Sequence, residues 1–243
     1  MKKTLKEEFL RLQKEVRLLD YKSAIIFIGS TILFTISWYF SNPKYFGEFF
    51  NSHETFKFID KEFAAFGYWF ILDSVLFFFI PLIIIKLILN EKIKNYGLAF
   101  KNVKIGWFVF IISIVFFIPI IFFISNSETF SQFFPLMENA KNDFLIFLLY
   151  ETLFILFIFS WEFIFRGFML FGLEKRFGIY SIFIQMIPFV ILHNGKPFIE
   201  TIASIFGAIF LGYLALRTRS IFYGFCIHVF ILITLDIIAF IKA

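Results

Sequence analysis

Long apolar runs separated by short polar segments form the dominant pattern along this chain. A helix that crosses the hydrocarbon core of a bilayer needs about 20 mostly apolar residues, and most of the runs reach that length. The fifth run is short for a full span, whereas the fourth is long enough to tilt or to project. The pattern predicts an all-α, polytopic membrane helical bundle of about seven transmembrane helices. The runs are 23–40, 65–89, 105–125, 144–172, 179–193, 199–216 and 221–241.

The first 22 residues are polar and precede the first apolar run. Five apolar side chains recur among them at helical spacing, which is typical of an amphipathic helix at a membrane surface. We expect residues 1–22 to be a cytoplasmic amphipathic lead-in and residues 23–243 to be a single transmembrane domain. The five side chains are Leu5, Phe9, Leu12, Val16 and Leu19.

Composition and charge distribution strengthen the membrane interpretation. Hydrophobic residues make up 60% of the chain, which includes 44 Phe, and a soluble domain of 243 residues does not bury so much apolar surface. The net charge of +5 does not indicate nucleic-acid binding, because Lys and Arg lie in short loops between the runs. Sixteen of the 23 basic residues fall on one set of alternate loops. The positive-inside rule therefore predicts a multi-pass protein of the plasma (inner) membrane, with a cytoplasmic N-terminus and an external C-terminus.

A few ionisable side chains interrupt the apolar runs. Glu162 and Arg166 lie one helical turn apart in the fourth run, His193 ends the fifth and His228 lies in the seventh. Placing an ion at membrane depth costs at least about 2.5–3.5 kcal/mol, so such groups face a bundle interior or a wet cavity. A carboxylate beside a neutral imidazole can activate water, and a second imidazole can stabilise an oxyanion. A buried ion pair with two interfacial histidines would use the same residues, and spacing alone leaves both interpretations open.

Further acids and one amide lie near these positions in sequence. Glu151 precedes Glu162 by eleven residues and falls on nearly the same helical stripe, and Asp236 follows His228 by eight residues. Glu200 opens the sixth run, where a helix N-terminus favours an acid. Asn194 follows His193 directly and has a donor amide. Each residue is a possible substitute or support for the site, and wet crevices, caps and loop polarity explain them equally well.

Several short motifs follow one another along the second half of the chain: Lys94-Asn95-Tyr96-Gly97-Leu98, Glu162-x-x-x-Arg166-Gly167, Phe189-x-x-x-His193, Gly207-x-x-x-x-Gly212, Arg217-Thr218-Arg219-Ser220 and His228. Their order and spacing resemble those of the CPBP family of intramembrane endopeptidases, which comprises type II CAAX prenyl proteases and bacteriocin-processing, ABI-like proteins. The resemblance covers about residues 90–240, the expected protease core. It implies an all-helical intramembrane fold with a cavity open toward the cytoplasm, in which glutamate and histidine activate water.

The resemblance also implies roles. Glu162 matches the second Glu of the family's Glu-Glu-x-x-x-Arg motif, Arg166 its Arg, and His193 the second motif, while His228 matches the histidine that supports the oxyanion. Two positions depart from the pattern. Trp161 stands where the family has the first Glu, usually the base, and Leu232 stands where it has Asn. Either another acid substitutes or activity is lost.

Three functions remain open at this stage. The first is an endopeptidase that acts on a membrane-associated, hydrophobic or lipidated peptide or protein, prenylated or not. The second is a catalytically silent relative that binds a membrane partner, for example as an immunity protein. The third is a transporter with Glu162, Asp73 and Asp236 along an ion path, although the chain shows no repeated halves.

No cofactor and no metal are expected from the sequence. Two histidines and one glutamate could in principle bind zinc with an open coordination position. In that case Glu162, His193 and His228 would be the ligands.

Overall fold

A computed structural model describes residues 2–50, 60–127 and 130–243 of the chain. The described residues form helices and connecting segments and contain no strand, which confirms the predicted all-α bundle. Short helical turns occur at Pro43–Tyr45, Phe46–Phe49, Ile93–Tyr96, Phe130–Phe133 and Glu138–Lys141. The longer helices are α1 (Lys2–Arg17), α2 (Tyr21–Ser41), α3 (Lys61–Ile88), α4 (Val103–Ser125), α5 (Phe144–Phe177), α6 (Tyr180–Ile191), α7 (Phe198–Thr218) and α8 (Phe222–Lys242).

Six of these helices, α2, α3, α4, α5, α7 and α8, are long and apolar enough to cross a membrane. The chain is therefore a multi-pass membrane protein. The count of about seven spans needs correction, because the predicted span 179–193 forms a helix of only 12 residues, α6. Such a helix is about 18 Å long, shorter than the roughly 30 Å hydrocarbon core. By contrast, α5 has 34 residues and extends past the predicted boundary at 172.

Side-chain and backbone contacts gather several connecting segments at the end of the bundle where α2 begins, here called the N-terminal end. The Lys22 ammonium lies 2.9 Å from a carboxylate oxygen of Glu91. The backbone N–H of Ile221 donates to the carbonyl of Gly97. The Arg219 guanidinium pairs with Glu174 at 2.6 Å. The segments before α2, between α3 and α4, after α5 and between α7 and α8 therefore share this end.

The remaining connections lie at the opposite end. The Lys242 ammonium donates to the carbonyl of Ser125 at 2.6 Å, which joins the end of α8 to the end of α4. The Glu62 carboxylate accepts from the backbone N–H of Glu138 and of Asn139 at 3.0 and 2.9 Å. The chain therefore alternates between two ends as the loop pattern predicts. Although α6 is short, α6 and α7 together leave the N-terminal end and return to it.

Helix α5 runs through the centre of the bundle. Its stretch Phe163–Phe171 is π-helical, and all nine of its residues are buried. A helix that is apolar on every side is stable only when neighbours surround it, and here α2, α3, α6, α7 and α8 do so. Widened π turns inside helices occur frequently at functional sites, and this one begins directly after Glu162.

Helices α1 and α4 present large apolar side chains on the outside of the bundle. Phe108, Phe116 and Phe122 on α4 are all more than half exposed, as expected for a helix face toward lipid. The apolar stripe of α1, residues Leu5 to Leu19, is likewise exposed. The division at residue 22 stays a prediction.

Candidate active site

Glu162 and Arg166 form a buried ion pair inside α5. Glu162 ends the α-helical part of the helix, and Arg166 follows one turn later in the π-helical part. The guanidinium Nη1 donates to Glu162 Oε1 at 3.2 Å, and neither residue is exposed. Because an isolated buried charge is very unfavourable, each of the two charges needs the other.

His228 on α8 completes this group. Its Nδ1 lies 2.8 Å from Glu162 Oε1, so this nitrogen donates to the carboxylate and Nε2 is left for another partner. Gly224 lies one turn earlier, and a Cβ there would lie 3.6 Å from Glu162 Oε2. This is an ordinary van der Waals distance, so α8 passes close to the carboxylate at Gly224. The His228 side chain is 15% exposed, so the group reaches the surface at the imidazole.

Arg166 has further donors and an aromatic neighbour. Its guanidinium carbon lies 4.2 Å from the centroid of the Phe189 ring on α6, which is a favourable cation–π geometry. The guanidinium Nε and Nη2 are buried, and neither has a hydrogen-bond partner in the described part of the chain. One face of the ion pair is thus an aromatic side chain from α6.

His193 lies in the connection after α6 rather than inside a span. Its Nδ1 lies 2.7 Å from the carbonyl oxygen of Phe189 one turn earlier. A carbonyl can only accept, so Nδ1 carries a proton and Nε2 of the neutral ring is an acceptor. The imidazole packs against Phe189 and Trp161, with ring centroids 4.5 and 5.9 Å away. These contacts hold His193 beside α5 on the same side as Arg166.

The two departures from the family motif occupy apolar surroundings. The Trp161 indole packs against the rings of Phe157, Phe165, Phe189 and His193. Leu232 is buried one turn beyond His228, in an apolar cluster that Trp161 also contacts. An aromatic surface therefore stands beside His193 where the resemblance implies a second carboxylate.

Two of the predicted supporting acids come together away from Glu162. Glu151 on α5 and Asp236 on α8 lie within hydrogen-bonding reach of each other. The Tyr150 hydroxyl donates to Asp236 Oδ2 at 3.4 Å. Tyr150 was missed by the sequence reasoning, because a tyrosine in an apolar run is indistinguishable from its Phe neighbours until its partner is known.

The other predicted supports lie in the connection after α6. Glu200, in the first turn of α7, pairs with Lys196 at 2.6 Å. Asn194 is exposed beside His193. Asp73, one of the acids of the transporter interpretation, is buried on α3 and accepts from the Trp69 indole at 2.8 Å. These three residues therefore lie apart from the group formed by Glu162, Arg166 and His228.

The sequence offered Glu162, His193 and His228 as ligands of a possible zinc site. Among residues 2–50, 60–127 and 130–243, no three His, Cys, Asp or Glu side chains are grouped closely enough to hold a metal ion. That the protein uses no cofactor and no metal stays a prediction.

Comparison with known proteins finds one family model that is similar to part of the chain. Residues 142–233 match the family model described as Type II CAAX prenyl endopeptidase Rce1-like. The segment holds Glu162, Arg166, His193 and His228, and is shorter than the predicted 90–240. No match was found among curated proteins or among solved structures. The match confirms the resemblance expected from the sequence: residues 142–233 are similar to the Rce1-like type II CAAX prenyl endopeptidases, which supports the CPBP family.

Proposed function

We propose that this chain is an intramembrane endopeptidase that hydrolyses peptide bonds of a membrane-associated protein or peptide, prenylated or not. The observation that carries the proposal is the Glu162 carboxylate, which is wholly buried and accepts from both Arg166 and His228. A carboxylate that accepts from one ring nitrogen of a histidine orients the ring and stabilises its protonated form. The match to an endopeptidase family supports the same reaction.

The mechanism follows from the two imidazoles. His228 Nε2 takes a proton from water while the water oxygen attacks the peptide carbonyl carbon, and Glu162 stabilises the resulting imidazolium. His193 Nε2 accepts the second water hydrogen and aims the oxygen. The buried Arg166 charge favours the developing oxyanion. His228 then returns the proton to the amine nitrogen as the C–N bond breaks. Every step uses this chain's own groups, without a cofactor or metal.

The orientation that we propose puts the N-terminal end of the bundle in the cytoplasm. The loops gathered there contain most of the Lys and Arg, which favours the cytoplasmic side. The end of the chain at Ala243, just after α8, would then face outward in a plasma (inner) membrane.

Cleavage by purified protein in detergent tests the proposal, with a panel of fluorogenic peptides, prenylated and unmodified. Glu162→Gln keeps the size of the side chain but cannot stabilise the imidazolium, so we expect a loss of at least about 100-fold in kcat/KM. Glu138→Gln, an exposed acid at the opposite end, is the matched control and should cleave normally. Equal cleavage by both variants would refute the role of Glu162, and abolition of cleavage by a chelator would refute metal independence.

A silent relative that binds a membrane partner, for example as an immunity protein, is the second function that a specific observation favours. Trp161 places an indole, which cannot accept a proton from water as a general base, against the His193 ring. Trp161→Glu separates the two functions, because it restores the family's first Glu, with Trp161→Gln as the control. A wild type that is inactive across the panel, together with a Glu variant that cleaves, would establish the silent relative. Cleavage by the wild type would remove it.

A further inference from the structure

A second polar group links the two helices of the candidate site. Glu151 and Asp236 are 6% and 1% exposed, and their carboxyl groups lie within hydrogen-bonding reach. The pair is separated from Glu162 by eleven residues of α5, about 16 Å of helix, and from His228 by eight residues of α8, about 12 Å. Thus α5 and α8 are connected twice, once at Glu162 and His228 and once at the acid pair.

The donors around the acid pair are too few for two ionised carboxylates. Both Glu151 oxygens and Asp236 Oδ1 are buried and have no donor among the described residues, while Asp236 Oδ2 has only the distant Tyr150 hydroxyl. Two carboxylates side by side repel each other and rarely ionise together at one site. One proton placed between them supplies the missing donor and removes one charge.

The charged groups that face the pair do not replace that proton. Lys196 and Glu200, on the connection to α7 and its first turn, act on Asp236 with opposite signs. The Lys196 ammonium is 2.6 Å from a Glu200 oxygen, so its charge is largely balanced there. On α5 the titratable neighbour is Tyr150, whose hydroxyl is neutral at ordinary pH. None of these groups neutralises either carboxylate of the pair, so a bound proton is needed to remove one of the two negative charges.

We propose that Glu151 and Asp236 share a single proton, and that this proton fastens α5 to α8 so that Glu162 and His228 stay in hydrogen-bonding position. Both acids are positioning residues, since they act through the helices and do not touch the reacting atoms. Their effect on cleavage rests on the proposed function. The shared proton itself does not, because it follows from the acid pair alone.

Infrared spectroscopy of the purified protein detects the shared proton directly. The carbonyl stretch of a protonated carboxyl group should appear in the wild type and shift in D2O. Glu151→Gln and Asp236→Asn should each remove the same band, and the double variant should remove no more than either single one, because only one proton is present. Glu138→Gln should leave the band unchanged. Losses that add in the double variant, or a band that survives both single substitutions, would overturn the proposal.

Thermal unfolding in detergent tests the fastening of the helices. The folded pair keeps a proton that separate, solvated carboxyl groups release, so the wild-type midpoint should fall as pH rises through the release of that proton. In Glu151→Gln the amide donates to Asp236 without a titrating proton, so its midpoint should stay level over the same interval. Parallel curves for the two proteins would refute the fastening. A wild-type midpoint that rises with sodium concentration at fixed pH would show a bound cation instead of a proton.

Cleavage kinetics connect the pair to the active site. We expect the kcat of the wild type to fall at alkaline pH together with its midpoint, and that of Glu151→Gln to persist to higher pH. The infrared band and the thermal midpoints could behave as expected while no cleavage is seen at any pH. That result would refute the endopeptidase function and leave the proposal of a shared proton intact. Identical alkaline limits for the two proteins would refute the positioning role alone.

Discussion

At the scale of single residues, the Glu162 carboxylate is wholly buried and depends on two partners. One of its oxygens accepts from Arg166 and His228, while the other has no donor among the residues that the structure describes. A group of this kind is stable only with its partners in place, because the low polarity around it magnifies every unpaired charge. Stability and chemistry therefore depend on the same three side chains.

Removal of the Arg166 charge tests this dependence. Arg166→Met leaves the Glu162 carboxylate buried without its cation, and we expect the free energy of unfolding to fall by about 3–5 kcal/mol. The measurement is denaturant unfolding in mixed micelles. Arg219→Met removes an ion pair whose side chains are 45% and 30% exposed, and should cost about 1 kcal/mol or less.

The double variant Glu162→Gln with Arg166→Met provides the cross-check. Neutralising both partners removes the unpaired charge, so the double variant should be more stable than Arg166→Met alone. Simple addition of the two single effects would show that the residues do not act as an ion pair.

At the scale of helices, close approach depends on small residues at particular positions. Gly106 on α4 faces the Tyr223 ring of α8, and a Cβ there would lie 2.4 Å from ring atoms. A buried ring has little room to move, so Gly106→Ala should lower the free energy of unfolding by about 1–3 kcal/mol. Gly207 on α7 has open space at its Cβ position. Gly207→Ala should raise stability by roughly 0.5–1 kcal/mol, and a stabilising Gly106→Ala would contradict the packing of α4 on α8.

The start of α2 is held by a polar network outside the membrane spans. Burial raises the pKa of Glu91, but hydrogen bonds from Lys22 and Tyr96 and the Lys22 charge outweigh it and hold the pKa below its usual value. A carboxyl group with a lowered folded-state pKa contributes stability above its unfolded pKa, and that contribution is lost as pH falls through the folded pKa.

A pH series of thermal midpoints checks this network. The thermal midpoint of the wild type should be higher than that of Glu91→Gln at neutral pH. The two midpoints should converge as the pH is lowered. Glu138→Gln, at the opposite end, is the comparison variant. A constant difference between wild type and Glu91→Gln at all pH values would contradict an ionised Glu91 as the source of the stability.

At the scale of the whole molecule, connecting segments are sorted to two ends, and the proposed orientation assigns each end to one side of the membrane. In a Cys226→Ser background, exposed single cysteines at Lys101 and Arg217 should react with an impermeant maleimide only from the cytoplasmic side. Cysteines at Glu138 and Ala243 should react only from outside. Labelling of all four from one side would contradict the alternation, and a complete exchange of sides would reverse the orientation.

Much of the architecture was predictable from the sequence. Run length and helical periodicity are local properties, so the six long helices could be predicted from neighbouring residues. The same holds for the position of Glu162 and Arg166 one turn apart on one helix. The end of α6 at Ile191 was not predicted by the sequence pattern, which extended this run to residue 193. It leaves His193 in a connecting turn, and its length reflects packing against α5 and α7 more than hydrophobicity.

The sequence by itself determined that the chain is an all-α membrane protein with a few costly ionisable groups, because the free energy of transfer into lipid depends on each residue's own chemistry. Tertiary structure alone decided which of these groups meet. The bond between His228 and Glu162 and the contact between Glu151 and Asp236 require α5 and α8 to lie at one depth and one rotation. Depth and rotation follow from packing around residues such as Gly106, where a Cβ would lie 2.4 Å from the Tyr223 ring of α8. No local pattern specifies packing between distant helices.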